Sequence, residues 1–420
     1  MGDVARVSTL HDCRRSLRAL VLAGALAAGG AGALCAPAYA GKLTAANWDV
    51  SAQHQVVHEA LMADAAGGDF AGAAPLSAAT EGAALTALAT REGVAPVTFD
   101  SATPLTVVRF DALLVDQLGL GDVAGHVQQV ADAAGLVPPA YFGTEVVARY
   151  LGLRYTHPPG EQKLALYPWN PITRAEAAHS FAVVLGFEGR HTRAAQPAGG
   201  GAEGDEAGGA GTEAGEEGGE AGGAAAETGE EGGEAGGPGA ETGSAPASGS
   251  QPAPGLGSWE LANARETLTA FSLPAYTSAQ REVLRIAVSK IGMPYVWGGT
   301  TDNTADGLEH GGYDCSGFAW RVYKLSGLPW GRQIHGRTAA QQAGEIPQSQ
   351  RIALQEVQPG DLLFFGSARL HSRATESSVI HEGLALSGQW AIHSSAQGVY
   401  VLPLTSGWLA QSFSWARRLL

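Results

Sequence analysis

The stretch "GGYDCSGFAW", residues 311–320, sets a single cysteine, Cys315, at the head of a helical pattern. Asp314 is a good N-cap residue and "SGFAWRVYKL" keeps helical spacing, so the expected helix runs from Cys315 to about Leu325 with Cys315 at its first position. A thiol attacks as thiolate, and the free N–H groups and positive dipole end of a helix favour negative charge. The same N–H groups are placed to hold the oxyanion of a tetrahedral intermediate. Gly317, in the first turn, keeps side-chain bulk away from that corner. The bland alternative is a small packing residue, the commonest role of a lone cysteine on an apolar helix.

A nucleophile needs a base, and the β-rich region downstream supplies it. "DLLFFGS" (361–367), "HEGLALSG" (381–388), "QWAIHSS" (389–395) and "GVYVLPL" (398–404) are short, turn-bounded and strand-forming. They predict an antiparallel meander after the helices, hence an α+β class. His381 opens one strand and His393 closes the next. A three-residue loop at 386–388 sets the two imidazoles opposite each other on one face, whereas a two-residue loop sets them on opposite faces. In the first case His381 can take the thiol proton while His393 fixes its tautomer. His371, His381 and His393 follow no metal-ligand spacing, so no metal or other cofactor is expected.

Residues 290–395 resemble the NlpC/p60 family of cell-wall cysteine peptidases. The resemblance lies in "PYVWGG" (294–299), "YDCSGFAWRVYKLSGLP" (313–329), "GRTAAQQAG" (336–344), "VQPGDLLFF" (357–365), "HEGLAL" (381–386) and "AIHSS" (391–395). It implies a papain-like core with Cys315 as nucleophile, His381 as base and His393 as the orienting residue. It also implies a substrate, the peptide stem of peptidoglycan, often cut between D-glutamate and a diamino acid. Tyr295, Asp314 and Ser316 match the positions that line the family's pocket, which implies substrate binding. Glu382 departs from the pattern, since an apolar residue is usual after the first His. Long loops at 330–336 and 366–380 are expected to rim the cleft.

The rest of the chain divides by composition. Residues 1–40 read as a signal peptide: Arg14, Arg15 and Arg18 precede an apolar run from Ala19 to Leu34 and an "AYA" site at 38–40. Its removal takes Cys13 and Cys35, leaving Cys315 as the sole thiol of an exported chain, secreted or associated with the cell wall. No later apolar run is long enough for a bilayer span. Residues 41–194 carry Ala- and Leu-rich helical patterns. Thr173, Arg174, Ala175 and Glu176 resemble the helix start of an S-layer homology repeat, which implies a polysaccharide-binding wall anchor; a capped spacer helix is the alternative. Residues 195–257 are mostly Gly, Ala, Glu, Ser and Pro, with "GEEGGEAGG" at 215–223 and again at 229–237, the composition of a disordered linker. The net charge of −15 is concentrated there, so it argues against nucleic acid as a partner. Residues 258–420 form the expected peptidase domain. Two functions follow for testing: a secreted peptidoglycan endopeptidase, or an inactive wall-binding protein with a peptidase-like domain.

Overall fold

A computed structural model describes residues 44, 46–65, 67–155, 164–194, 259–303 and 311–420, and for 187–194 the helical backbone alone. The expected signal peptide and linker lie outside the described residues.

Among the described residues before position 195 there are six helices: α1 (Val50–His58), α2 (Ala78–Glu92), α3 (Val107–Gln117), α4 (Gly121–Ala133), α5 (Phe142–Tyr150) and α6 (Arg174–Ala194). Local chemistry sets their starts. The Ser77 hydroxyl accepts from Thr80 N at α2, and Thr106 does the same for Arg109 N at α3. Thr173 accepts from Glu176 N at 3.3 Å, the capping contact expected for α6. Arg174 is buried. Its Nε donates to Phe70 O at 2.8 Å and its Nη2 to Ala63 O at 2.5 Å, and the guanidinium lies over the Phe70 ring. Its donors hold a loop of its own fold.

After the linker come α7 (Trp259–Thr269), α8 (Ser278–Val288), a short hairpin of β1 (Thr300–Thr301) and β2 (Gly312–Tyr313), then α9 (Cys315–Leu325) and α10 (Ala339–Gly344). Strands β3 (Leu362–Gly366), β4 (Val379–Ala385), β5 (Trp390–Ser395) and β6 (Gly398–Pro403) follow, then α11 (Gly407–Ser412) and β7 (Phe413–Arg417). The sheet order is β6-β5-β4-β3-β7, antiparallel throughout. The meander is as expected; β7, which closes the sheet beside β3, is an addition to it.

Period-2 alternation gives the sheet two apolar faces. Phe364, Leu384 and Ile392 share a core with Phe318 and Val322 of α9 and Leu284 of α8. Leu363, Phe365, Ala385 and Ala391 pack with Leu404 and Leu409 on the other side. Phe142 and Val146 of α5 belong to the first of these cores, so helices from both sides of the linker bury their apolar stripes together. The described residues before and after the linker accordingly form one compact unit. Each such buried Leu or Phe is worth roughly 1.5–3 kcal/mol, so this shared layer is a principal source of cohesion.

Candidate active site

The head of α9 is built as the sequence requires. Asp314 has extended backbone, and its Oδ1 accepts from Gly317 N at 2.6 Å, leaving Cys315 as the first helical residue. Glycine at 317 is a steric necessity: a Cβ there would fall 2.1 Å from Gly299 O. The helix head therefore rests on the "WGG" turn, which Asp314 N reinforces by donating to Gly299 O at 3.1 Å.

The histidines come together by a different register from the one expected. Gly383, not His381, pairs with His393. The hairpin closes through Leu386 N and Ser387 N, both donating to Trp390 O, so its loop is 387–389, one residue further along than 386–388. The loop keeps odd length, and residues 381 and 383 share a face, so the imidazoles meet on the diagonal. His381 Nε2 and His393 Nδ1 lie 2.8 Å apart, with the rings at 89°. Gly383 makes this possible, because a Cβ there would sit only 3.0 Å from the His393 Cβ. His393 also packs on Tyr400, ring centroids 4.4 Å apart, and its Nε2 meets no hydrogen-bond partner among the described residues.

The thiol lies against β4, the strand that carries His381. Cys315 is half-buried, and the backbone N–H groups of Glu382, the neighbour of His381 on β4, and of Ser316 lie near enough to its sulfur to favour the thiolate. A further tie joins the two sides: Ser394 Oγ donates at 2.7 Å to Tyr313 O, two residues before Cys315.

Electrostatics correct the expectation of an acidic thiol. Burial, with Asp314 and Glu382 nearby, pushes the Cys315 thiol up to about 12, against the pull of the two N–H groups. Burial likewise pushes the His381 imidazole down to about 4, and holds His393 well below its usual value. The resting pair is thus neutral thiol and neutral imidazole. Glu382 is fully buried with neither carboxyl oxygen hydrogen-bonded among the described residues, and burial holds it well above the usual carboxylate range. Burial thus favours its protonated form.

The residues read as pocket-lining have particular places. Tyr295 is half-buried, and burial together with Cys315 and Asp314 keeps its phenol protonated. Ser316 is buried and donates to Arg337 O at 2.8 Å. Asp314 is buried too, and besides capping α9 it accepts from Gly298 N and forms a two-pronged ion pair with Arg337: Nη1–Oδ1 3.0 Å and Nη2–Oδ2 2.6 Å. Arg337 was not singled out from the sequence, although it lies in the "GRTAAQQAG" stretch. It brings a half-exposed cation to Cys315 and Tyr295. Tyr400 was missed as well; only its place on the strand paired with β5 makes it a wall for His393.

A cysteine at a helix head and a hydrogen-bonded histidine pair on the strands packed against that helix are consistent with a cysteine-type hydrolase. Residues 292–418 match the model of the NlpC/P60 family. A gamma-D-glutamyl-L-lysine dipeptidyl-peptidase of Bacillus cereus is 29% identical over 149 residues, 34% of this chain and 38% of that protein. A probable endopeptidase of Mycobacterium tuberculosis is 31% identical, covering 30% of this chain and 26% of its own. The probable peptidoglycan endopeptidase LytE of Bacillus subtilis is 30% identical, covering 31% and 32%. The chain thus spans well under half the length of these relatives, and the matched region is the C-terminal one. A solved NlpC/P60 family protein from Bacillus cereus is 26% identical with a TM-score of 0.26, covering 36% of this chain and 42% of that one.

Proposed function

We propose that the chain is a secreted thiol endopeptidase that hydrolyses peptide bonds in peptidoglycan stems, between D-glutamate and the following diamino acid. The observation that carries this reading is the 2.8 Å His381–His393 pair, whose His381 lies on β4 next to Glu382, the residue whose backbone N–H faces the thiol at the helix head. His381 uses Nε2 on His393, which leaves Nδ1 for the thiol proton. His393 then accepts through Nδ1 and keeps its own proton on Nε2.

Because both partners rest neutral, the proton moves as the bond forms. Sulfur attacks the carbonyl carbon while His381 takes its proton, and the oxyanion gathers at the N–H groups of the helix head. Collapse breaks the C–N bond; His381 returns the proton to the leaving amine, and a thioester remains. Water, deprotonated by His381, attacks the thioester, and the thiol and a carboxylic acid product are released. Tyr295, Asp314 and Ser316 shape the binding side of the cleft. Arg337, held by Asp314, presents its guanidinium to a substrate carboxylate, which a D-glutamyl residue linked through its side chain leaves free.

Retention at the wall by residues 41–194 belongs to the same proposal. It is supported by Trp169, which is 57% exposed while stacked on Tyr167 at 5.2 Å, a rigid aromatic face of the kind sugars use. The test is incubation of the mature protein and a Cys315→Ala variant with purified peptidoglycan. Wild type is expected to release stem-derived peptides and the variant none. Equal release, or none from either, sinks the hydrolase reading and leaves the inactive wall-binding one.

A further inference from the structure

We propose that the helical region before the linker is a working part of the catalytic unit, and that Tyr167 and Arg149 are positioning residues for its two halves. Tyr167 reaches Gly311, four residues before the nucleophile. Gly311 N donates to the Tyr167 hydroxyl at 3.1 Å, and the hydroxyl donates to Gly311 O at 3.3 Å. A single side chain thus holds both polar groups of one peptide position. The path from there to sulfur is short and stiff. Tyr313 is pinned through its backbone to Pro294 and Val296, and Asp314 to Gly299.

Tyr167 itself sits on a fixed support. Its N–H donates to Asn170 Oδ1 at 2.8 Å, and the carbonyls of Pro168 and Asn170 accept from Val108 N and Val107 N at the start of α3. Its ring stacks on Trp169 with planes 2° apart. This is a turn built to hold a hydroxyl in place.

Arg149 acts on the histidine half. It is buried in α5 and paired with Glu145 at 2.8 Å, and its Nη2 donates to Gly292 O at 3.1 Å. Gly292 N in turn donates to Val399 O, and Val399 N to Met293 O. Val399 precedes Tyr400, the wall of His393. The approach is tight on both glycines it touches: a Cβ on Gly292 would lie 3.3 Å from Arg149 Nη2, and one on Gly398 would lie 3.1 Å from Nη1. A buried ion pair facing two close-packed glycines fixes one geometry and excludes others, which is what a catalytic constellation needs from its support.

The proposal concerns how Cys315 and His393 are held, not what is cut, and it rests on Cys315 being the reacting group. Its test therefore reads the thiol directly, in the full mature chain. Tyr167→Phe removes one hydroxyl from a half-buried ring and leaves the stack on Trp169. The expected result is a change of about threefold or more in the iodoacetamide alkylation rate of Cys315 across pH 6–9, with Tm within a degree of wild type. On peptidoglycan, kcat is expected to fall about three- to tenfold with KM changed by less than about twofold, the worth of one hydrogen bond expressed in rate. An unchanged alkylation profile with native Tm overturns the proposal. A Glu145→Gln/Arg149→Gln double variant, which deletes the ion pair and withdraws the guanidinium from Gly292 and Gly398, gives the second reading. It is expected to lower kcat with alkylation altered, and wild-type values for both overturn the histidine arm. Altered alkylation in chains that release no peptide would sustain the positioning role while removing the peptidase reading.

Discussion

The thiol of Cys315 and the imidazole of His381 are both uncharged at pH 7, held at about 12 and about 4 by burial. A thiolate–imidazolium pair is therefore not the ground state, and the rate depends on His381 being free to accept a proton. Protonation of His381 switches that off, and burial has moved this event from the usual 6.5 to about 4. The acid limb of kcat/KM is thus expected near pH 4, far below an ordinary histidine. A pH series of initial rates on a soluble stem peptide checks it, and a limb between pH 6 and 7 would contradict the assigned base. His393 cannot take over the charge, since its own value is lowered by burial and by His381.

At the scale of elements, the helix head and the hairpin decide whether those groups meet. Gly317 has no room for a methyl group, because the obstruction at 2.1 Å is the backbone oxygen of Gly299 rather than a flexible side chain. Gly317→Ala must lift α9 off the "WGG" turn. It is expected to cost about 1–3 kcal/mol of stability and roughly a hundredfold in kcat, measured by denaturant titration and by peptide release. The bounds of α9 and the Asp314 cap were legible in the sequence because capping is local chemistry. The hairpin was legible only as a parity condition. Odd loop length put both imidazoles on one face, but the choice between 386–388 and 387–389 depends on Gly383 admitting His393, a contact between strands. Arg337 and Tyr400 were illegible for the same reason: their roles come from what lies across the fold, Asp314 and His393, and not from their sequence neighbours. The upward shift of Cys315 was not legible because its main causes, burial and the carboxyl groups of Asp314 and Glu382, outweigh the N–H groups near the sulfur only once the chain is folded.

For the whole molecule, composition pointed to two folded parts separated by a linker, while the apolar stripes of α5, α8 and α9 fall in one core. One core predicts one unfolding transition, and the buried titratable groups of both regions must then act on the same Tm. Glu81 in α2 is fully buried, neither of its oxygens has a hydrogen-bond partner among the described residues, and burial raises it to about 8. Glu382 is raised in the same way near the thiol. A carboxyl whose folded value is raised favours folding below its unfolded value, 4.5 here, and loses that contribution as pH climbs toward the folded value. His381 works in reverse: with its folded value depressed from 6.5 to about 4, stability is lost as pH falls through that window. Each group tilts stability by about 1.4 kcal/mol per pH unit within its window. The two tilts oppose each other between pH 4.5 and 6.5, so Tm is expected to peak there and to fall on the alkaline side through pH 8. Glu81→Gln removes a proton that must be lost from the helical region and is expected to flatten the alkaline limb of the single transition, peptidase core included. Calorimetry of both proteins from pH 4 to 9 reads this directly. Two separate transitions, with Glu81→Gln moving only one, would mean that the regions before and after the linker fold independently.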